Sequence, residues 1–305
     1  MLAFIFALFV ALQFLSVFAA PAPYFKARDI TALSNTDISD LSPFTQLARA
    51  SYCPTAKLQG WKCGKICDSL PGFEPTLIGG DGITTQIYFV GYWPDQNTIV
   101  VSHEGTDPIH LASILTDIKI TMHPLNATLF PGVSSAVLVH DGFKDQHAIT
   151  AQQILAEVQS LMASKNSTSV TLVGHSLGGA LAVLDALYMN INLPAGTSIK
   201  AVTYGTPRIG NAAFAQLIDE KIPDLRRINN KFDIIPTVPG RFLGYAHPHG
   251  EVHLLSTGTA ISCPGSDDST DSRCQNQSVP NVLKGNILDH LGPYVGLSIG
   301  TIFCV

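Results

Sequence analysis

Charge is scarce in this chain of 305 residues: Asp, Glu, Lys and Arg make up 13% of it, about half the share of an ordinary globular domain. With 46% hydrophobic residues, that excludes intrinsic disorder and a coiled coil. There is no basic block. Eighteen Lys and Arg stand against 23 Asp and Glu, a formal charge of −5 spread along the chain, so no nucleic acid partner is expected. Internal repeats and low-complexity linkers are missing, which argues for one domain rather than a tethered array. No cluster of His, Cys, Asp and Glu has common metal-ligand spacing. Neither a metal nor an organic cofactor is expected.

Long hydrophobic runs are absent except at the start. Met1 to Ala20 carries no charge, and Leu2 to Phe18 is almost wholly apolar. The run is short for a bilayer-spanning helix, which needs about 20 apolar residues. Pro21 and Pro23 follow and would end any helix. Val17-Phe18-Ala19 fits a small-residue cleavage site, although the usual basic n-region is missing. We therefore read 1–19 as a secretory signal peptide and expect a mature chain with no transmembrane segment. Residues 20–30 read as a short pro-segment, and 31–305 as a single domain. A secreted monomer is the expectation.

The six cysteines, Cys53, Cys63, Cys67, Cys263, Cys274 and Cys304, are an even set in a chain read as secreted, which points to disulfides. Spacing alone leaves the pairing open. Proximity favours Cys63–Cys67 and Cys263–Cys274, leaving Cys53–Cys304 to tie the two ends. Asn126, Asn166 and Asn276 each begin an N-x-Ser/Thr triplet and are candidate glycosylation sites.

Strand-like and helix-like stretches alternate. Gln86 to Tyr92, Thr98 to Ser102, Ser169 to Val173, Ile199 to Tyr204 and Leu225 to Ile228 read as strands. His147 to Ser164 places Ile154, Leu155, Val158, Leu161 and Met162 on one helical face. Gly179 to Met189 reads as a buried helix, and Asn211 to Lys221 as another. This pattern predicts an α/β fold: a mostly parallel central sheet flanked by helices.

One motif carries chemistry. The strand Ser169 to Val173 runs into Gly174-His175-Ser176-Leu177-Gly178-Gly179 and then a helix. A G-x-S-x-G between strand and helix is a nucleophile elbow. The serine occupies a strained turn, and glycines remove the β-carbons that would collide there. The helix N-terminus aims free N–H groups at a developing oxyanion. Leu177 N–H is the natural first donor.

A serine nucleophile needs a base, and the base needs an orienting acid, in the chain order Ser, Asp or Glu, His. Asp233 follows the strand Leu225 to Ile228 through a short loop and is the chosen acid. Asp185 lies on the buried helix, Asp219 and Glu220 on a solvated one, and Asp267, Asp268 and Asp271 in a polar loop. Among His247, His249, His253 and His290, the last is chosen as base from its position late in the chain. His175 reads as a packed structural histidine, and His140 and Asp141 as bonding under the sheet.

These residues, together with Pro43 to Cys53, Glu104-Gly105-Thr106, His140-Asp141-Gly142-Phe143, Tyr204-Gly205-Thr206-Pro207-Arg208, Asp233-Ile234-Ile235-Pro236 and Asp289-His290-Leu291, resemble the secreted fungal class 3 lipases. That filamentous-fungal triacylglycerol lipase family also contains a feruloyl esterase branch. The resemblance runs from about Leu41 to Cys304. It implies the α/β-hydrolase fold with a helical lid, the catalytic set Ser176, Asp233 and His290, and Thr106 as the second oxyanion donor. It also implies a Cys53–Cys304 bridge. Glu104 departs from it, since many relatives carry a basic residue there.

The resemblance places a lid just after the oxyanion turn. There Leu111, Ile114, Leu115 and Ile118 share one helical face, broadened by Ile109 and Ala112. A core helix carries the same stripe, but this one lies beside the expected site. Its apolar face favours an acylglycerol substrate at a lipid–water interface over a feruloylated or other soluble ester.

Overall fold

The computed structural model describes residues 30–106 and 120–304. In chain order the strands are β1 (Thr31–Ala32), β2 (Glu74–Gly79), β3 (Tyr88–Trp93), β4 (Thr98–His103), β5 (Met122–Pro124), β6 (Leu138–His140), β7 (Ser169–His175), β8 (Ser198–Tyr204), β9 (Gly210–Asn211), β10 (Asp224–Asn230), β11 (Tyr245–Ala246), β12 (Glu251–Leu254) and β13 (Ala260–Ser262). Nine of these described strands form one sheet in the order β1-β13-β12-β10-β8-β7-β4-β3-β2. Its centre, β4-β7-β8-β10-β12, is parallel. Both margins turn antiparallel. A small antiparallel sheet, β11-β9-β6-β5, stands apart.

The parallel centre exists because a helix returns the chain between strands and covers a face. Asp141–Lys165 leads into β7, and Leu177–Asn192 leads out of it. Side chains alternate between two cores. On β8, Ile199 and Ala201 join the helices Asp141–Lys165 and Leu177–Asn192 on one face. Val202 and Tyr204 join the N-terminal helices, with Leu41, Leu47 and Tyr52, on the other. The helix Leu177–Asn192 is buried from Gly178 to Met189, as its nearly continuous apolar sequence requires. The helix Asp141–Lys165 begins six residues before the expected His147, and Asn166 ends it in the left-handed conformation at φ 51°.

Cys53–Cys304, Cys63–Cys67 and Cys263–Cys274 are bonded. The first closes a sequence separation of 251 residues. In the chain-entropy model such a loop contributes about 5 kcal/mol by restricting the unfolded chain. It holds the C-terminal turn, Thr301–Phe303, against the N-terminal helical layer.

Three local expectations are corrected. His140 lies in the small sheet and stacks on Phe143 with centroids 4.3 Å apart, rather than bonding under the main sheet. Asp219 is half-buried, not solvated, and accepts from His249 and Ser266. Asp267 is buried against the Arg208 guanidinium at 2.7 Å instead of lying in an open loop. Asp219 and Asp267 found partners 30 to 59 residues away in sequence, which local pattern does not encode.

Candidate active site

β7 ends at His175, and the helix begins at Leu177. Ser176 between them has φ 58° and ψ −128°, a strained conformation for a non-glycine residue. Glycines make the turn possible. A Cβ on Gly174 would lie 2.1 Å from the Gly178 carbonyl oxygen, and one on Gly178 would lie 2.3 Å from that of His103. Ser176 is nearly fully buried among the described residues.

The Glu104-Gly105-Thr106 turn packs directly on the elbow. A Cβ on Gly105 would lie 2.4 Å from the His175 carbonyl oxygen and 2.8 Å from Ser176 Cβ. Leu177 is the first residue of its helix, so its N–H has no intrahelical acceptor. Thr106 follows Gly105 in this turn, and its hydroxyl has no hydrogen-bond partner among the described residues. Glu104 is buried, and its Oε2 accepts the Ile87 N–H at 3.0 Å. Its carboxylate thus ties the turn to the sheet.

Asp233 and His290 come together across 57 residues of sequence. His290 Nδ1 donates to Asp233 Oδ2 at 2.8 Å, with both side chains almost fully buried. Asp233 Oδ1 accepts the Ile235 N–H at 2.9 Å, and Gln275 Nε2 donates to the Asp233 carbonyl at 2.6 Å. Because the carboxylate can only accept, the proton sits on Nδ1. Nε2 therefore carries the lone pair, and it makes no hydrogen bond among the described residues. His290 rides on the short turn Ile287–Leu291, whose entry Asn286 caps by accepting the Leu288 N–H. Gly205 lets the ring approach closely, since a Cβ there would lie 2.7 Å from two ring atoms.

The other candidate bases are engaged elsewhere. His247 Nε2 donates to the Pro236 carbonyl, His249 pairs with Asp219, and His253 bonds the carbonyls of Lys231 and Arg273. Asp185 takes His103 Nε2 at 2.6 Å and His147 Nε2 at 2.9 Å. Burial opposes its ionisation, but those two hydrogen bonds outweigh burial and lower its carboxyl to about 2. Glu251 lies beside Cys263 and Cys274, yet both sulfurs are bonded to each other and offer no thiolate.

Sequence reasoning missed the supports. Tyr294 donates to the His290 carbonyl at 3.1 Å, and Asn230 Nδ2 donates to that of Asp289 at 2.8 Å. Tyr52 bonds His175 at 2.7 Å. Tyr52 stands in a quoted motif and Tyr294 four residues beyond His290, but nothing local marks either as part of the site. The expected lid residues Ile109, Leu111, Ile114 and Leu115 lie outside the described residues. Asn126 and Asn166 are exposed. Asn276 is partly buried, its amide held by Arg208 and Asp267.

A mostly parallel sheet with helices on both faces, and a strained serine at a strand-to-helix turn, define an α/β-hydrolase. Residues 100–243 match the family model for class 3 lipases. The secreted mono- and diacylglycerol lipase LIP1 of Malassezia globosa is 30% identical over 98% of this chain and 96% of its own. A lipase of Rhizomucor miehei is 28% identical over 89% of this chain and 72% of its own. The solved Rhizomucor miehei triacylglyceride lipase superposes with a TM-score of 0.76 at 28% identity, covering 91% of this chain and 100% of that one. The chain belongs to the class 3 lipases and is a carboxylic ester hydrolase.

Proposed function

We propose that this protein is a secreted lipase that cleaves acylglycerols at a lipid–water interface, with Ser176, His290 and Asp233 as its triad. The observation that carries the reading is the buried 2.8 Å contact between His290 Nδ1 and Asp233. It sets the tautomer that a general base requires. Ser176 Oγ attacks the ester carbonyl carbon while His290 Nε2 takes its proton. The N–H groups of Leu177 and Thr106 stabilise the oxyanion. His290 then protonates the departing glycerol oxygen, leaving an acyl-serine. Water attacks the acyl carbon, again giving its proton to His290. Return of that proton to Ser176 Oγ releases the fatty acid. Asp233 stabilises the imidazolium formed in each half-reaction.

Apolar side chains near the pair support a lipid substrate. Phe232 precedes Asp233, and Leu288 stands two residues before His290, both exposed. The two loops are joined by the Asn286 N–H to the Phe232 carbonyl at 2.7 Å. Leu283, five residues before Leu288, is 91% exposed. Each 100 Å² of such surface moved into lipid is worth roughly 2.5 kcal/mol. Relatives named as secreted lipases support secretion. Among the described residues no helix is long and apolar enough to cross a membrane.

The test compares emulsified long-chain acylglycerols with methyl ferulate, using Ser176→Ala as control. We expect preferential acylglycerol hydrolysis that climbs sharply above substrate solubility. Preference for ferulate without that rise would overturn the substrate assignment in favour of a soluble-ester esterase. Ser176→Ala should lower turnover by about 10⁴-fold or more. Retention of about a tenth of the rate would sink the triad.

A further inference from the structure

A second imidazole stands beside the proposed base. His175 is the last residue of β7 and the immediate neighbour of Ser176. It is 1% exposed. Its ring centroid lies 4.4 Å from that of His290, with the planes tilted by 31°. His175 Nε2 is 2.8 Å from the His290 carbonyl oxygen, and its Nδ1 is 2.7 Å from the Tyr52 hydroxyl.

The partners decide the tautomer. A carbonyl oxygen only accepts, so Nε2 must carry a proton and donate. In the neutral ring Nδ1 then accepts, and the Tyr52 hydroxyl donates to it. Burial, and after it the neighbouring His290, push this imidazole well below its ordinary pKa, while the bond to the His290 carbonyl acts the other way. A neutral ring suits the place, because the base becomes a cation during each proton transfer. A second cation at this separation would oppose that step.

We propose that His175 is a positioning residue for the reaction, clamping the main chain of His290 to the strand that delivers Ser176. This rests on the triad reading above. His175 and the base come from segments 115 residues apart. A side chain that belongs to the elbow and holds the base's own carbonyl couples the two directly. Tyr294 donates to the same carbonyl at 3.1 Å from within the base's loop. That hydrogen bond stays within the base's loop, and toward the elbow Tyr294 makes a ring contact, its centroid 5.8 Å from that of His175. Tyr52 completes the clamp from the N-terminal layer. Its hydroxyl also lies beneath the oxyanion turn, where a Cβ on Gly105 would come within 2.4 Å of it. Nucleophile, base and oxyanion turn therefore meet around one Tyr52–His175 pair.

The test compares His175→Phe with His175→Gln in the full secreted chain, each on emulsified acylglycerol and with a serine-directed phosphonate. Phe fills the space but cannot donate. Gln places an amide N–H near the position of Nε2. We expect His175→Phe to lower kcat about 100-fold with KM little changed, and to slow phosphonate labelling in parallel. His175→Gln should recover at least about ten-fold of that loss. A folded His175→Phe enzyme within about two-fold of wild type overturns the inference. So does a folded His175→Gln enzyme as slow as His175→Phe, since a purely packing role would make the two alike. If His175→Phe does not fold, Tyr52→Phe removes the hydroxyl that bonds His175 Nδ1. It should lower kcat about five-fold or more at unchanged KM, and an unchanged kcat overturns the proposal. Ser176→Ala separates the two readings. If it retains activity the triad reading fails. If it is dead while His175→Phe is normal, only the clamp fails.

Discussion

Two buried carboxylates in this fold each bind imidazole, and only one leaves the tip of its ring without a hydrogen bond. Asp233 meets His290 through Nδ1, which leaves Nε2 at the tip of the ring without a hydrogen bond. Asp185 meets His103 and His147 through Nε2 in both cases. There the tips of both rings are taken by the carboxylate. The donor–acceptor distances are alike, 2.8 Å against 2.6 and 2.9 Å. What differs is orientation and neighbourhood. His290 lies against the elbow, whereas the Asp185 cluster sits among Tyr88, Phe130 and Tyr188 and joins β4 to two helices. On the proposed reading, a carboxylate–imidazole pair supports catalysis only when its far nitrogen is free to take a proton. Otherwise it is a fastening in the core.

The sharpest way to break this contrast is Asp233→Asn. It removes the carboxylate while keeping shape, and leaves His290 in the wrong tautomer. We expect kcat on acylglycerol to fall about 10⁴-fold with a melting temperature close to wild type. A loss below about ten-fold would mean that Asp233 does not orient the base.

Asp185→Asn should do the reverse. An amide cannot accept from two imidazoles without turning a donor on one of them, so one buried bond is lost. We expect about 3 kcal/mol of lost stability in denaturant unfolding, with kcat of the folded enzyme little changed. A large kcat loss at unchanged stability would move Asp185 into the catalytic group and dissolve the comparison.

Acid offers the smallest and most specific effect. Asp185 has its carboxyl lowered from 3.8 to about 2 in the folded chain. The folded state thus holds the anion more firmly than the unfolded chain does. That stabilisation, on the order of 2 kcal/mol, is complete above about pH 4 and is lost as pH falls toward 2. Unfolding measured down this range should give a shallower pH dependence for Asp185→Asn than for wild type. Parallel curves would show that the cluster does not carry this linkage.

Much of the fold was legible in the chain. The β-branched run Ser169 to Val173 and the apolar stretch Gly179 to Met189 bury nearly every residue, so composition alone identifies them. The elbow was legible because its glycines answer to local geometry. Asp233 and His290 were legible only as candidates in an order. Asp185 was legible as a residue of a buried helix but its partners were not, and Asp267 read as an open-loop residue, because His103, His147 and Arg208 are 82, 38 and 59 residues away. Tyr52 and His175 escaped as a pair for the same reason, at 123 residues.

By itself, then, the sequence determined the alternation of strand and helix, the strained serine turn and the family to which the chain belongs. These follow from periodicity, from steric limits at glycine, and from short motifs. The tertiary structure alone decided which carboxylate meets which imidazole, and through which nitrogen. That choice depends on the direction of a ring and the burial around it, and both are set where distant segments close upon one another.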